Sequence, residues 1–176
     1  MRTLGKLLLT SAFLLPACAD DDPDPDAVAG WRAASTALGS QGAQWKAEAD
    51  ADGELDTDLV CPSGGQYVVE GNIADANEFD VSVTFEGCNA DGVLISGHLS
   101  MHAEVELTEN SSRVHVDYQG ELSFTGEAEA TCEIDVVADV VVETTGGNDP
   151  SAHVEASFHG EICGYSAAAV VDASHG

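Results

Sequence analysis

The sequence contains few basic residues. Five Lys and Arg residues face 32 Asp and Glu residues, and two of the five, Arg2 and Lys6, lie close to the N-terminus. Nucleic-acid binding depends on basic side chains that neutralise phosphates. We therefore expect no nucleic-acid partner and an acidic surface that is solvated by water.

Motifs of the common catalytic and cofactor-binding classes are also missing from the sequence. It contains no G-x-S-x-G elbow, no glycine-rich dinucleotide fingerprint and no G-x-x-x-x-G-K-[ST] phosphate loop. No C-x-x-C pair indicates a zinc site. We therefore predict that the protein is not an enzyme and that it carries no cofactor, except for weakly bound Ca²⁺ as considered below.

Long apolar runs are absent, because the longest, Leu7–Leu15, falls short of the roughly 20 residues that span a bilayer. With the basic residues before it and small residues after it, this run is typical of a secretory signal. The signal ends in Leu15-Pro16-Ala17-Cys18, which resembles the lipobox of bacterial lipoproteins. The resemblance implies a signal peptide over residues 1–17, a lipid on Cys18 that anchors the protein in the membrane, and an acidic tether over 18–26.

The residues around the lipobox bear on the destination of the protein. Ala19 follows the cysteine, which in the lipoprotein family implies onward sorting to the outer membrane, with the domain on its periplasmic or surface face. Ala17-Cys18-Ala19 also matches an A-x-A cleavage site. Use of that site would instead release a soluble secreted protein.

Four cysteines remain after Cys18, and an exported protein is expected to pair them as two disulfides. Four cysteines allow three connectivities. Pairing Cys61 with Cys88 and Cys132 with Cys163 places a turn-like stretch midway between the partners in both cases, so that each bridge would clamp the open end of a hairpin. The second cysteine of each pair is out of phase with its strand, which predicts β-bulges beside Gly87 and Gly164.

Between Val93 and Val142 apolar and polar residues alternate with a period of two, the pattern of antiparallel strands with one buried face. We predict a mainly β fold, an antiparallel up-and-down meander of seven or eight strands curved into a barrel or half-barrel. Residues 61–176 form this disulfide-clamped domain, and a last strand carries Tyr165, Ala167, Ala169 and Val171.

One helix is predicted before the sheet, within a helix and acidic-linker region over residues 27–60. Trp31, Leu38 and Trp45 recur every seven residues, which indicates an amphipathic helix despite Gly39 and Gly42. A sheet with one apolar face needs a cover. We interpret the aromatic stripe as that cover, with a ligand-binding box as the alternative.

Strand registers follow from two predicted turns, one around Asn110-Ser111 and one over residues 129–131. These turns place large residues opposite small ones, as a tightly packed face requires. The predicted pairs are Gly97 with Phe124, Ala103 with Tyr118, and Gly126 with Ile134.

Two candidate metal sites follow from the acidic residues. The predicted registers align Glu104, Asp117, Glu143 and His153 in one row on the polar face, where a divalent cation would relieve the repulsion between carboxylates. The stretch from Glu48 to Leu59 resembles part of an EF-hand calcium loop. The resemblance makes Asp50, Asp52 and Asp56 ligands, but Leu59 stands where a bidentate Glu should close the shell, which implies weak binding at most.

The sequence therefore favours an exported, lipid-anchored, acidic β-protein that acts as a non-catalytic binding or interaction module at the cell envelope. Two alternatives are a periplasmic carrier of apolar ligands and a calcium-dependent adhesion module. The membrane is the only partner that the sequence indicates, through the lipid anchor, and the protein or small-molecule ligand is not identified by it.

Overall fold

The structure is a computed structural model that describes residues 22–48, 52–75, 77–108, 110–145 and 151–175. Within these residues the chain forms eight strands and two helices. In chain order they are α1 (Pro25–Glu48), β1 (Glu54–Val60), β2 (Gln66–Asp75), β3 (Glu78–Ala90), β4 (Val93–Leu107), β5 (Ser111–Gly126), β6 (Ala130–Thr145), β7 (Ser151–Ile162), β8 (Tyr165–Ser166) and α2 (Ala167–His175). The predicted signal peptide, the lipidation site Cys18 and the calcium ligand Asp50 lie outside the described residues.

The eight strands form one antiparallel sheet in which every strand pairs with its neighbour in the sequence. The order β1 to β8 is linear and the sheet does not close, so the predicted meander is confirmed as a curved half-barrel. β1 lies in the segment expected to be an acidic linker. Its Leu55 and Leu59 are buried while the acidic residues between them face water, which is the alternation of a half-buried strand.

The predicted register between β4 and β5 is wrong by two residues. Gly97 pairs with Leu122 and Ala103 with Val116. The reason lies in the turn: the Thr108 backbone N–H donates to the Ser111 carbonyl, and the Thr108 hydroxyl accepts from the Ser111 N–H. This turn is centred one residue earlier in the sequence than predicted. Moving the centre of a hairpin turn by one residue changes the residue that pairs with a given position by two.

The predicted register between β5 and β6 is wrong by six residues, because Ile134 pairs with Gly120 rather than with Gly126. Gly126 adopts a φ of 103°, a left-handed conformation that ends β5 early. Ala128 lies in the turn between β5 and β6, and its buried side chain anchors this turn to the core. Both register errors are even numbers of residues, so the inward and outward faces of the strands are still those predicted.

The predicted last strand is wrong after its second residue. β8 comprises Tyr165 and Ser166 alone, and α2 follows at once. A run of Ala and Val residues is compatible with either structure by period, and here Ala167, Val170 and Val171 share one buried helical face. The α2 helix thereby covers the part of the sheet near β7. Neither described helix is both long and apolar enough to cross a membrane.

The two disulfides join the predicted partners, Cys61 with Cys88 and Cys132 with Cys163. A bulge beside Gly87 is confirmed by the register shift between Glu86 and Cys88. The bulge predicted beside Gly164 is instead a tight turn, in which Cys163 and Gly164 both have positive φ and connect β7 to β8. Such a two-residue turn brings the Cys163 side chain back to its partner without an inserted residue.

The α1 helix packs on the apolar face of the sheet through small residues. Asp24 caps its N-terminus by accepting from the Asp26 N–H, and Pro25 occupies the first helical position. Gly30 and Ala34 are buried against the sheet, which lets the helix approach closely. Arg32 on the opposite side donates from Nε to the Ser174 carbonyl, 2.8 Å away, and so ties α1 to the end of α2.

Candidate functional site

An apolar cleft lies between α1 and the sheet, with a volume of about 270 Å³. The predicted aromatic stripe forms its helical wall, and three strands form the other. The lining residues are Trp31, Ser35, Leu38, Gly39, Trp45, Phe79, Met101, Val116 and Tyr118. The stripe thus covers the sheet, and its residues also line this cleft; ligand binding there stays a prediction.

The helical wall follows from the seven-residue spacing. Seven residues are close to two turns of an α-helix, so Trp31, Leu38 and Trp45 lie along one side of α1. Trp31 is buried and meets Tyr118 edge to face, with ring centroids 6.2 Å apart and planes at 90°. This is a favoured geometry for aromatic pairs, and it holds the two rings as adjoining walls of the cleft.

The sheet wall follows from the registers of β3, β4 and β5. Phe79, Ala103 and Val116 stand in one row, and Met101 pairs with Tyr118 in the next row on the same face. Ala103 is the smallest of these side chains and lies between larger neighbours. Of these two rows, Phe79, Met101, Val116 and Tyr118 line the cleft.

The cleft contains little polar chemistry. Its described lining includes no charged side chain, and the lining side chains with a polar atom are Trp31, Ser35, Trp45 and Tyr118. Burial raises the pKa of the Tyr118 hydroxyl above its ordinary value. The described lining therefore contacts a ligand mainly through apolar and aromatic side chains.

Two buried polar atoms near the cleft have no hydrogen-bond partner. They are the indole Nε1 of Trp45, which lines the cleft, and the hydroxyl of the fully buried Tyr67. Burial raises the pKa of Tyr67, and the adjacent Trp45 indole partly offsets this. The two groups lie near one another without completing a bond, which leaves an energetic cost in the core.

The apolar face continues beyond the cleft towards the end of β4 and the start of β5. Val105 pairs with Val114 there, and Val114 pairs with Val140. These residues are half-buried, whereas Leu107 and Val154 at the margin are 67% and 59% exposed. The cleft therefore opens onto an uncovered apolar strip of the sheet.

The predicted metal row on the polar face does not form as one row. Glu143 pairs with His153 as predicted, but Glu104 pairs with His115 and Asp117 pairs with His102. The two-residue error between β4 and β5 separates Glu104 from Asp117. His153 contacts Glu155 of its own strand, with 3.2 Å between Nε2 and Oε1.

The corrected registers instead place two histidines among carboxylates. His102 Nδ1 donates to Asp80 Oδ1 at 2.6 Å, and His115 Nδ1 donates to Asp139 Oδ1 at 2.9 Å. These hydrogen bonds raise the pKa of both histidines, and the charge of Glu104 raises both further. Sequence reasoning missed both pairs, because His115 meets Asp139 through the β5–β6 register, which was predicted six residues away, and His102 meets Asp80 through the β3–β4 register, which was not predicted.

The histidine cluster on β3 and β4 also has a ligand set for a metal. One side-chain atom each of Glu78, Asp80 and His102 lie within 4.8 Å of one another. All three groups lie on the polar face of the sheet. Exposed acidic groups of this kind are common in proteins without a bound metal. Weak Ca²⁺ binding stays a prediction for this face.

The described part of the EF-hand-like stretch has a different structure from a calcium loop. Asp52 precedes β1, and Asp56 lies within β1 with its side chain exposed. An extended strand directs successive side chains to opposite faces rather than around one ion. Asp50 lies outside the described residues, so calcium binding here remains a prediction.

Comparison of the chain with protein-family models, curated proteins and solved structures finds no match. The cleft and the histidine clusters are therefore interpreted from their own chemistry.

Proposed function

We propose that the chain is an exported, lipid-anchored, non-catalytic protein of the cell envelope that binds a small, largely apolar ligand in the cleft under α1. This combines the binding module favoured by the sequence with the first of its alternatives, the carrier of apolar ligands. The single observation that carries the proposal is the cleft itself. It is a concave apolar space with aromatic walls and few polar groups, the usual composition of a small-molecule site.

The position of Cys18 in the sequence supports an anchor close to the domain. The α1 helix begins at Pro25, seven residues after Cys18, and seven extended residues reach at most about 25 Å. A lipid on Cys18 would therefore hold the domain close to the membrane surface. The apolar strip beside the cleft would give an apolar ligand further surface to contact as it enters.

Native mass spectrometry of protein made with its own signal in a Gram-negative host tests the proposal. We expect a lipid mass on Cys18 that the Cys18→Ser variant lacks, two intact disulfides, and a bound small molecule. Gly39→Leu is the sharpest test of the cleft. Gly39 lines the cleft and a Cβ there meets no atom within 4 Å, so we expect the fold to accept leucine at this position and the longer side chain to fill part of the cleft.

Thr36→Leu is the matched control, because Thr36 is exposed on the same helix and does not line the cleft. The proposal expects Gly39→Leu to lose the bound molecule and Thr36→Leu to keep it. Equal occupancy in both variants would place the ligand elsewhere. If the lipid is absent and the N-terminus lies near Asp20, the protein is secreted rather than anchored.

A further inference from the structure

Four aromatic rings line the one small cleft. Trp31 and Trp45 come from the helix, and Phe79 and Tyr118 come from the sheet. Met101 adds a polarisable thioether to the same space. These side chains are more than an apolar surface, because the face of every aromatic ring carries a partial negative charge that an aliphatic side chain lacks.

Aromatic enclosures of this kind favour organic cations. A quaternary ammonium group within about 6 Å of a ring centroid is attracted to the ring face, and Trp is the best ring for this purpose. The group cannot donate hydrogen bonds, so it needs no polar partner in the site. That requirement agrees with a cleft whose described lining contains no carboxylate and no basic side chain.

The charge of the protein favours the same ligand class. The formal net charge is −27, and a potential of this sign concentrates cations and repels anions around the domain. Of the basic residues, Arg32 is bound to the end of α2, away from the cleft lining. A fatty acid or another anionic amphiphile would enter an apolar cleft against this field.

The volume sets the size of the ligand. Sites for drug-sized molecules measure roughly 300 to 1,000 Å³. The cleft, at about 270 Å³, is just below that range and suits a compact ligand or headgroup. We propose that the cleft binds a small organic cation of the quaternary ammonium class, with its methyl groups against the aromatic rings. This rests on the proposed function and names its ligand.

Choline and 3,3-dimethylbutan-1-ol form the test pair, since the two molecules differ by replacement of N⁺ with carbon. Titration calorimetry on the full chain compares them. Because a desolvated cation–π contact favours only the cation, we expect choline to bind at least about tenfold more tightly than the alcohol. Raising the salt concentration should weaken choline binding and leave alcohol binding unchanged.

Trp45→Leu and Phe158→Leu provide the matched variants. Trp45 lines the cleft, whereas Phe158 is an inner-face aromatic residue on β7 that does not line it. We expect Trp45→Leu to weaken choline binding by about tenfold and to change alcohol binding much less. Phe158→Leu should change neither affinity.

The outcomes separate the two proposals. If the alcohol binds as tightly as choline, or if Trp45→Leu weakens both equally, the cleft is a general apolar site and the cation proposal is overturned. If neither molecule binds but a neutral aromatic probe does, the cation proposal fails and the proposed function stands. If no probe binds in the cleft, both fail.

Discussion

Gly30 of α1 lies directly against the ring of Phe124 on β5. A Cβ built on Gly30 would come within 2.4 Å of Phe124 Cδ2, and Phe124 is 1% exposed, so its ring has no free space to move into. This contact sets the distance between the helix and the sheet. The glycine is therefore required by packing, although glycine weakens a helix interior.

Gly30→Ala should destabilise the protein by about 1 to 3 kcal/mol, because the new methyl group forces the helix away from the sheet. Gly39→Ala is the matched substitution nine residues later on the same helix. Its Cβ meets no atom within 4 Å, so it should stabilise by about 0.5 to 1 kcal/mol through helix propensity alone. Urea unfolding measures both, and effects of the same sign would contradict this packing.

Tyr67→Phe should stabilise the protein by about 1 kcal/mol. The Tyr67 hydroxyl is buried without a hydrogen-bond partner, and such a group costs free energy that phenylalanine does not incur. Tyr118→Phe serves as the comparison, since the Tyr118 hydroxyl is not one of the fully buried atoms that lack a partner, and it should be close to neutral. A loss of stability in Tyr67→Phe would mean that its hydroxyl has a partner in solution.

The free energy of unfolding should depend on pH through His102 and His115. Their pKa values are raised by hydrogen bonds to Asp80 and Asp139 and by the nearby charges of Glu78, Glu104 and Asp117. A raised pKa means that the protonated histidine stabilises the folded state. This contribution is fully present below the unfolded pKa of about 6.5 and is lost as pH rises through the folded pKa.

The double variant His102→Gln, His115→Gln should therefore show a shallower fall in Tm between pH 6 and pH 8.5 than the unmodified protein. His159→Gln is the control, because His159 is exposed on β7. It should keep the original slope. An unchanged slope in the double variant would show that the two pairs do not form in solution.

Removing either disulfide should cost roughly 3.5 kcal/mol by the chain-entropy model, since the two bridges close loops of similar length, 27 and 31 residues in sequence separation. Paired substitution to alanine, Cys61→Ala with Cys88→Ala or Cys132→Ala with Cys163→Ala, tests each bridge by urea unfolding. A loss of less than about 1 kcal/mol in the free energy of unfolding would contradict this expectation, because it would mean that removing the bridge adds little conformational freedom to the unfolded chain.

The fold class and the faces of the strands could be predicted because they depend on local alternation. Val93 to Val142 shows that alternation, and the inward positions were correct even where the registers were wrong. The cysteine pairing was also correct, because it depended on turn positions to within a few residues. The helix α1 could be predicted from the seven-residue spacing of Trp31, Leu38 and Trp45.

The registers could not be predicted because they depend on individual turns. Thr108 closes its turn through a side-chain hydrogen bond, and Gly126 ends β5 through its conformation. Neither effect has a periodic signal. The candidate site was predictable only on its helical side, since Phe79, Met101 and Tyr118 come to line the same cleft as Trp45 through long-range packing that no local pattern encodes.

The central claim is that the cleft under α1 binds a ligand, and intrinsic fluorescence tests it most directly. The sequence contains two tryptophans, Trp31 and Trp45, and both line the cleft. Titration with the compact neutral probe 1-naphthylamine should quench them by energy transfer in a saturable manner. Gly39→Leu should abolish this quenching and Thr36→Leu should retain it. Saturable quenching that persists in Gly39→Leu, or no quenching in the unmodified protein, would contradict the account.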